Sequence, residues 1–405
     1  MSVNEWLRVP VGPAGVAGRT IVTERTVLVV VHTVVTGQRL LDVVQLLEHD
    51  RRVQVVFTQG PDLLGNGVEA FLAGHGCLVM PWTQAVHTEF DLVLAASYDG
   101  VHELHGPLLV LPHGAGYGKR VPEHHGGSAD TSRGVFGLDT GSLVRGGRVV
   151  PSVLVLSHVD QLVPLREQCP EAESVALVAG DPCFDRLLVS IEHRQMYRDA
   201  FGVSEGQRLV VIASTWGSRS LVARCQDALL WLTNEVRDCG DRAAMLLHPD
   251  VWYGHGIRQV RAWLSGRARD GMRLLEPDED WRAVLAAADV VVGDHGSATG
   301  YAAAAGIPVL LAQFPEQDVA PGSVPAAVAD IAPRFVAGQP LREAIAQAER
   351  AVHDGGRHVL DKLTEIPGSS ASVLRSAMYE LLRMAPPAAL PRCEPVPVVR
   401  GRGSR

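Results

Sequence analysis

Four short segments combine proton-transfer or anion-binding residues with glycine, and each follows an apolar run. In LPHGAGYGKR, His113 precedes Gly114, Gly116, Gly118 and Lys119. Glycines let the backbone approach a ligand and turn its N–H groups toward an anion; a lysine neutralises phosphate charge; a histidine can take a proton from a hydroxyl. The segment is not a P-loop, because Arg120 stands where Ser or Thr is needed and Val121-Pro122 does not open a helix. It also suits a surface loop. In VAGDPCFDRLL, Gly180, Pro182 and Asp185 punctuate a change from strand to helix, which a plain turn with an acidic first helical turn would equally explain. In MLLHPDVWYGHG, His248 ends a strand beside Pro249; alone it also fits a structural histidine, and His255 is a weaker candidate. In VVVGDHGSATGYAAAAGIPVLL, Asp294 ends a strand and Gly296, Ser297, Ala298, Thr299 and Gly300 lead into a small-residue helix. A helix start at a strand end offers N–H groups and a favourable dipole to phosphate, and Ser297 or Thr299 can serve simply as its cap. The order is not that of a Gly-x-Ser-x-Gly nucleophile elbow.

The elements that must carry these segments repeat. Apolar, β-branched runs read as buried parallel strands at 26–31, 53–58, 77–82, 91–97, 107–112 and 153–157. After a break near 168–190, strand-like runs recur at 208–215, 243–250, 272–277, 289–294 and 307–312, with helical spacing between. Alternating strand and helix predicts parallel βαβ units with right-handed crossovers. The expected class is α/β, with two Rossmann-like domains facing across a cleft lined by strand carboxyl ends. The expected boundaries are a first domain over 1–170, a second over 171–370, a closing helix over 371–385 and a disordered Pro/Arg tail over 386–405.

Composition narrows the function. The 405 residues carry 37 Lys plus Arg against 45 Asp plus Glu, a net charge of −8, which argues against a nucleic-acid binder. Only Lys119 and Lys362 are lysines, so a lysine inside a glycine loop stands out. Six cysteines without C-x-x-C spacing suggest neither a zinc site nor a disulfide framework, and His124-His125 lacks a third ligand at a recognisable spacing. With no signal peptide and no long apolar run, the expected location is cytoplasmic. The tail's four arginines against one glutamate allow peripheral contact with anionic lipid at the inner face of a membrane.

Taken in order, the four segments resemble the CDP-glycerol glycerophosphotransferase (teichoic acid polymerase) family of GT-B architecture. The likeness covers about residues 105–315. It rests on His113, Gly114 and Lys119; on Gly180, Pro182 and Asp185; on His248-Pro249; and on Asp294, Ser297, Gly306 and Pro308. Ala115, Cys183 and Gly296 depart from the family pattern. The resemblance implies a transferase that moves an alcohol-phosphate or sugar from a nucleotide-diphosphate donor to an acceptor hydroxyl. The first domain would hold the acceptor and the second the donor. His113 would be the base. His248, with Lys119 or Arg219, would balance charge on the leaving nucleotide, and the donor phosphates would rest on Ser297 to Gly300. Asp185 and Asp294 would belong to the donor site. GT-B enzymes need no bound metal, and no other cofactor is implied. Two further readings remain open: a UDP-sugar glycosyltransferase or 2-epimerase-like enzyme, and a non-catalytic nucleotide-binding relative.

Overall fold

The computed structural model describes residues 6–11, 15–121, 133–389 and 392–398. The chain divides into two compact units. One takes residues 1–117, 134–182 and 365–392; the other takes 118–133, 183–364 and 393–405.

The first unit is built on a parallel sheet of strands β1 (Arg25–Val31), β2 (Val53–Gln59), β3 (Leu92–Ala95), β4 (Leu108–Val110), β7 (Val153–Leu156) and β8 (Ala176–Val178), in the order β2-β1-β3-β4-β7-β8. A small antiparallel ribbon, β5 (Val144–Arg145) and β6 (Arg148–Val149), interrupts the series. Val27 through Val31 are wholly buried, as expected for a strand covered on both faces. The helix Val34–Glu48 follows β1, opened by a capping box in which Thr33 and Thr36 satisfy each other's backbone N–H groups.

Two expectations need correction here. The run Cys77–Trp82 forms a single bridge, Val79 against Phe57, rather than a strand: Pro81 removes a donor and opens a short helix at Trp82. Strand β8 completes the first sheet instead of beginning the second, pairing Leu154, Val155 and Leu156 with Ala176, Leu177 and Val178. The short Leu162–Gln168 helix and the 3-10 segment after it, started by Pro170, make this βαβ crossover resemble a break in the sequence. The closing helix spans Ser370–Leu381 and packs on the first unit: Tyr379 donates to Asp50 at 2.8 Å, and Arg25 Nε donates to the carbonyl of Leu382 at 2.9 Å.

The second unit has the parallel order β11-β10-β9-β12-β13, from β9 (Leu209–Ser214), β10 (Arg242–Leu247), β11 (Arg273–Leu274), β12 (Val290–Gly293) and β13 (Val309–Leu311). Strand order reverses between β9 and β12, the point where open α/β sheets place ligands. The core packs Val210, Ile212, Met245, Leu247 and Val292 against Leu229, Leu232, Trp252 and the long helix Leu341–Leu363. Residues 392–398, expected to be disordered, include an ordered stretch on this unit. Val396 is buried, its N–H donates to Ser190 Oγ at 3.1 Å and its carbonyl accepts from Tyr197 at 2.7 Å. Among the described residues, no helix is long and apolar enough to cross a membrane.

Candidate functional site

In the first unit the candidate group stands at the end of β4. Pro112 is buried, and His113 emerges with an exposed side chain. His113 Nδ1 lies 3.1 Å from the carbonyl oxygen of Ala96, just beyond β3. A carbonyl only accepts, so this nitrogen carries a proton, and in the neutral ring Nε2 holds the lone pair. The loop rests on Arg39, which sequence reasoning did not single out. From the Val34–Glu48 helix, Arg39 Nε donates to Pro112 O at 2.9 Å and Nη2 to Gly114 O at 3.1 Å. Its Nη1 and Nη2 grip the carboxylate of Asp181 at 2.7 and 2.8 Å. Both side chains are almost fully buried. The only hint in the sequence is a charge among residues whose helical spacing faces the core. Further along the loop, Gly116 has a φ of 66°, and an added Cβ would stand 2.5 Å from Gln161 Nε2, so glycine is required there.

In the second unit the switch between β9 and β12 is pinned by Asp294. Its carboxylate accepts from the backbone N–H groups of Thr215, Leu221 and Gly296 at 2.9–3.1 Å and from Ser214 Oγ at 3.3 Å. Burial pushes its carboxyl pKa up, while these donors pull it down. Asp294 is 1% exposed, so the structure puts it beneath the loops it ties together, a strut under the site. Thr299 and Gly300 are also buried; a Cβ on Gly293 would meet Thr299 Oγ1 at 2.2 Å. Gly296, Ser297 and Ala298 lie at the surface of the helix start Ser297–Ala304, where the N–H groups of Thr299 and Gly300 turn to the carbonyl of Gly296 at 3.1 and 3.4 Å. Asp185 is buried in the first turn of the helix Pro182–Ile191.

His248 caps the helix Pro249–His255. Its Nδ1 accepts from the N–H of Asp250 at 3.2 Å and lies 3.4 Å from the carboxylate of the same residue; in the neutral ring that accepts from this amide, Nε2 carries the proton. The ring of Trp216, on the loop after β9, lies 6.3 Å from that of His248. His255 instead packs edge-on against Trp263.

Lys119 belongs to this unit, although it follows the first unit's glycine loop in sequence. The segment 118–120 pairs antiparallel with 318–320: Ala320 N–H donates to Gly118 O at 3.0 Å and Arg120 N–H to Asp318 O at 2.9 Å. Lys119 Nζ sits 5.3 Å from the centre of the Trp216 ring, a cation–π distance. Arg219 donates to Asp318 at 2.7 Å. His295, next to Asp294, is pushed down to about 4, first by burial and then by the charge of Lys119. The second unit thus gathers Lys119, Trp216, Arg219, His248, His295 and the Gly296–Ala298 turn from elements at the carboxyl ends of its sheet. His295 stands in the glycine-rich segment after β12 and Trp216 at the end of the β9 run, but sequence alone assigned neither a role. Among the described residues, no three His, Cys, Asp or Glu side chains are placed to hold a metal ion; His124 and His125 lie outside the described residues.

No family model matches the chain, and no curated protein matches it. Solved structures do. UDP-GlcNAc 2-epimerase from Neisseria meningitidis, bound to UDP-GlcNAc, aligns with a TM-score of 0.51 at 14% identity, over 88% of this chain and 99% of its own. A histidine-to-alanine variant of the wall teichoic acid polymerase TagF aligns at 0.59 and 11% identity, over 89% of each chain. A histidine-to-asparagine variant of TagF soaked with CDPG aligns at 0.58 and 10%, over 89% of this chain and 90% of that one. The fold is that of GT-B enzymes. At these identities the likeness speaks for architecture alone, with two Rossmann-like units as the sequence pattern implied.

Proposed function

We propose that the chain is a transferase that uses a nucleotide-diphosphate donor, CDP-glycerol-like, and moves its alcohol-phosphate to an acceptor hydroxyl. The observation that carries this reading is the group of hydrogen-bond donors at the strand-order reversal of the second unit, where Arg219 is paired with Asp318. There a lysine, an arginine and a histidine N–H accompany a helix N-terminus in an otherwise acidic chain. Such a cluster holds a pyrophosphate by a few local groups rather than by a broad basic field. The structural likeness to enzymes crystallised with UDP-GlcNAc and CDPG supports the same ligand class.

In this reading the donor phosphates lie on the Gly296–Ala298 turn. His248 Nε2–H and Lys119 stabilise the charge that grows on the leaving nucleotide. His113, with its lone pair on Nε2, takes the acceptor's proton as the new O–P bond forms and the P–O bond to the nucleotide breaks. The products are the extended acceptor and CMP. Transfer of a sugar would form an O–C bond and release UDP instead.

The test is incubation with CDP- and UDP-linked donors with and without a hydroxyl acceptor, and analysis of the nucleotide released. CMP that accumulates only with acceptor supports the reading. UDP in its place moves the chain to glycosyl transfer, acceptor-independent inversion of a sugar makes it an epimerase, and binding without turnover makes it a non-catalytic relative. Each of the last three overturns the phosphotransfer assignment.

A further inference from the structure

The side chain of His113 is exposed at the tip of a glycine-containing loop, yet a base must present one nitrogen in one direction. Beneath the loop, the two carbonyls that flank His113, those of Pro112 and Gly114, both accept from the same guanidinium, that of Arg39. Arg39 is in turn fixed by two parallel bonds to Asp181, in the fork geometry that only arginine provides. Asp181 stands in the corner after β8, between Gly180 at a φ of 79° and Pro182, which opens the next helix. Arg39 therefore ties together the helix after β1, the loop after β4 and the corner after β8, all within the first unit. A buried ion pair adds little to stability compared with apolar residues of the same volume. Its place directly under the histidine loop calls for another role.

We propose that Arg39 is a positioning residue for His113. It clamps the carbonyls on either side so that Nδ1–H stays on Ala96 O and Nε2 stays the acceptor, and Asp181 is the counterion that holds the clamp. This rests on the reading of His113 as the base.

The test compares Arg39→Lys with the double variant Arg39→Met/Asp181→Leu in the full chain. Lysine keeps the charge opposite Asp181 but carries its three donors on one nitrogen, where Arg39 makes four bonds from three. The double variant removes both buried charges, so no orphaned carboxylate threatens folding. Both should fold and keep the donor KM while kcat falls about 100-fold, the scale of a misplaced catalytic group. Histidine-selective 15N spectra should show His113 losing its Nδ1–H tautomer. Combined with His113→Ala, Arg39→Lys should add no further loss. The proposal falls if both variants keep kcat within about twofold and leave the His113 tautomer unchanged. If His113→Ala itself retains turnover, the base assignment fails. The tautomer spectrum of Arg39→Lys then still decides whether Arg39 sets the ring.

Discussion

His113 and His248 are held in opposite protonation patterns. The Nδ1 of His113 donates to a carbonyl, whereas the Nδ1 of His248 accepts from an amide. One ring therefore offers a lone pair at Nε2 and the other a proton. Two histidines at strand ends are interchangeable in sequence, and backbone groups two to seventeen residues away separate their roles. Under the proposed function this gives a base and a charge-stabilising donor.

The two should then respond differently to substitution. His113→Ala should lower kcat about 10²–10⁴-fold with the donor KM nearly unchanged, since it removes a proton acceptor needed only as the bond forms. His248→Ala should lower kcat/KM by about 10²-fold, as loss of one donor to a developing anion does. His248→Gln, which keeps an N–H donor, should recover part of it, and His113→Gln should recover none. Steady-state kinetics on the four variants decides this. Equal rescue by glutamine at both positions would contradict the assignment.

Lys119 carries a second expectation. It rests against Trp216 on the second unit, so Lys119→Met should weaken donor binding about tenfold, and that loss should shrink as salt rises. Titration calorimetry with CDP at two salt concentrations measures it. An unchanged affinity would remove Lys119 from the phosphate site.

Much of the architecture was legible in the sequence, and the failures have physical causes. Continuous runs such as Thr26–Val31 announce strands buried on both faces, and both sheets followed from them. The Cys77–Trp82 run is also apolar, but one proline stopped it short of a strand. The site was legible as a set of strand ends, because glycine and histidine there break the apolar pattern. Which way each residue faces was not. Asp294 and Thr299 stand in the same motif as Ser297, yet turn inward, because helical rotation and the demand of four donors aim them at the core. The Arg39–Asp181 pair was invisible for another reason: its partners are 142 residues apart, and no local pattern encodes that meeting. Lys119 follows the first unit's glycine loop in sequence, yet two strand-like hydrogen bonds to residues near 319 join its segment to the second unit.

The inward turn of Asp294 gives it a cost that a ligand contact would not have. Asp294→Asn would set an NH2 group among donors that need an acceptor. The second unit should lose about 3 kcal/mol, the scale for unpartnered buried groups around a removed charge. Urea unfolding followed by Trp fluorescence would register this without any substrate. A variant of native stability would return Asp294 to the list of surface groups.

His295 sets a pH dependence. Its folded pKa lies near 4, below the usual 6.5 for histidine, because burial and Lys119 disfavour the charged ring. Between these two values the unfolded chain binds a proton that the folded chain does not, so this residue makes stability fall as pH drops from about 6.5 to about 4. Above 6.5 both states are neutral and it contributes no slope. His295→Gln, which cannot titrate, should flatten that part of the profile, and Lys119→Met should narrow the window by letting the folded pKa rise. Urea midpoints between pH 4 and 7 measure both effects. A steeper acid loss in His295→Gln than in the native chain would reverse the sign and exclude a depressed histidine.

The last expectation concerns the end of the chain. The segment around Val396 covers Ser190 and Tyr197: one backbone N–H and one carbonyl meet two side-chain hydroxyls, and the valine is buried. Val396→Asp would force a carboxylate into that seat, and truncation after Arg392 would expose both hydroxyls together with their apolar surroundings. Each should destabilise the second unit by about 2–3 kcal/mol, combining lost apolar burial with two lost hydrogen bonds. The first unit holds its own closing helix through Tyr379 and Asp50, so it should keep its stability. Hydrogen exchange resolves the two: protection should fall in the helices Pro182–Ile191 and Arg194–Ala200 and stay unchanged in Val34–Glu48. Uniform loss across both units, or none, would mean that the segment does not anchor the second unit.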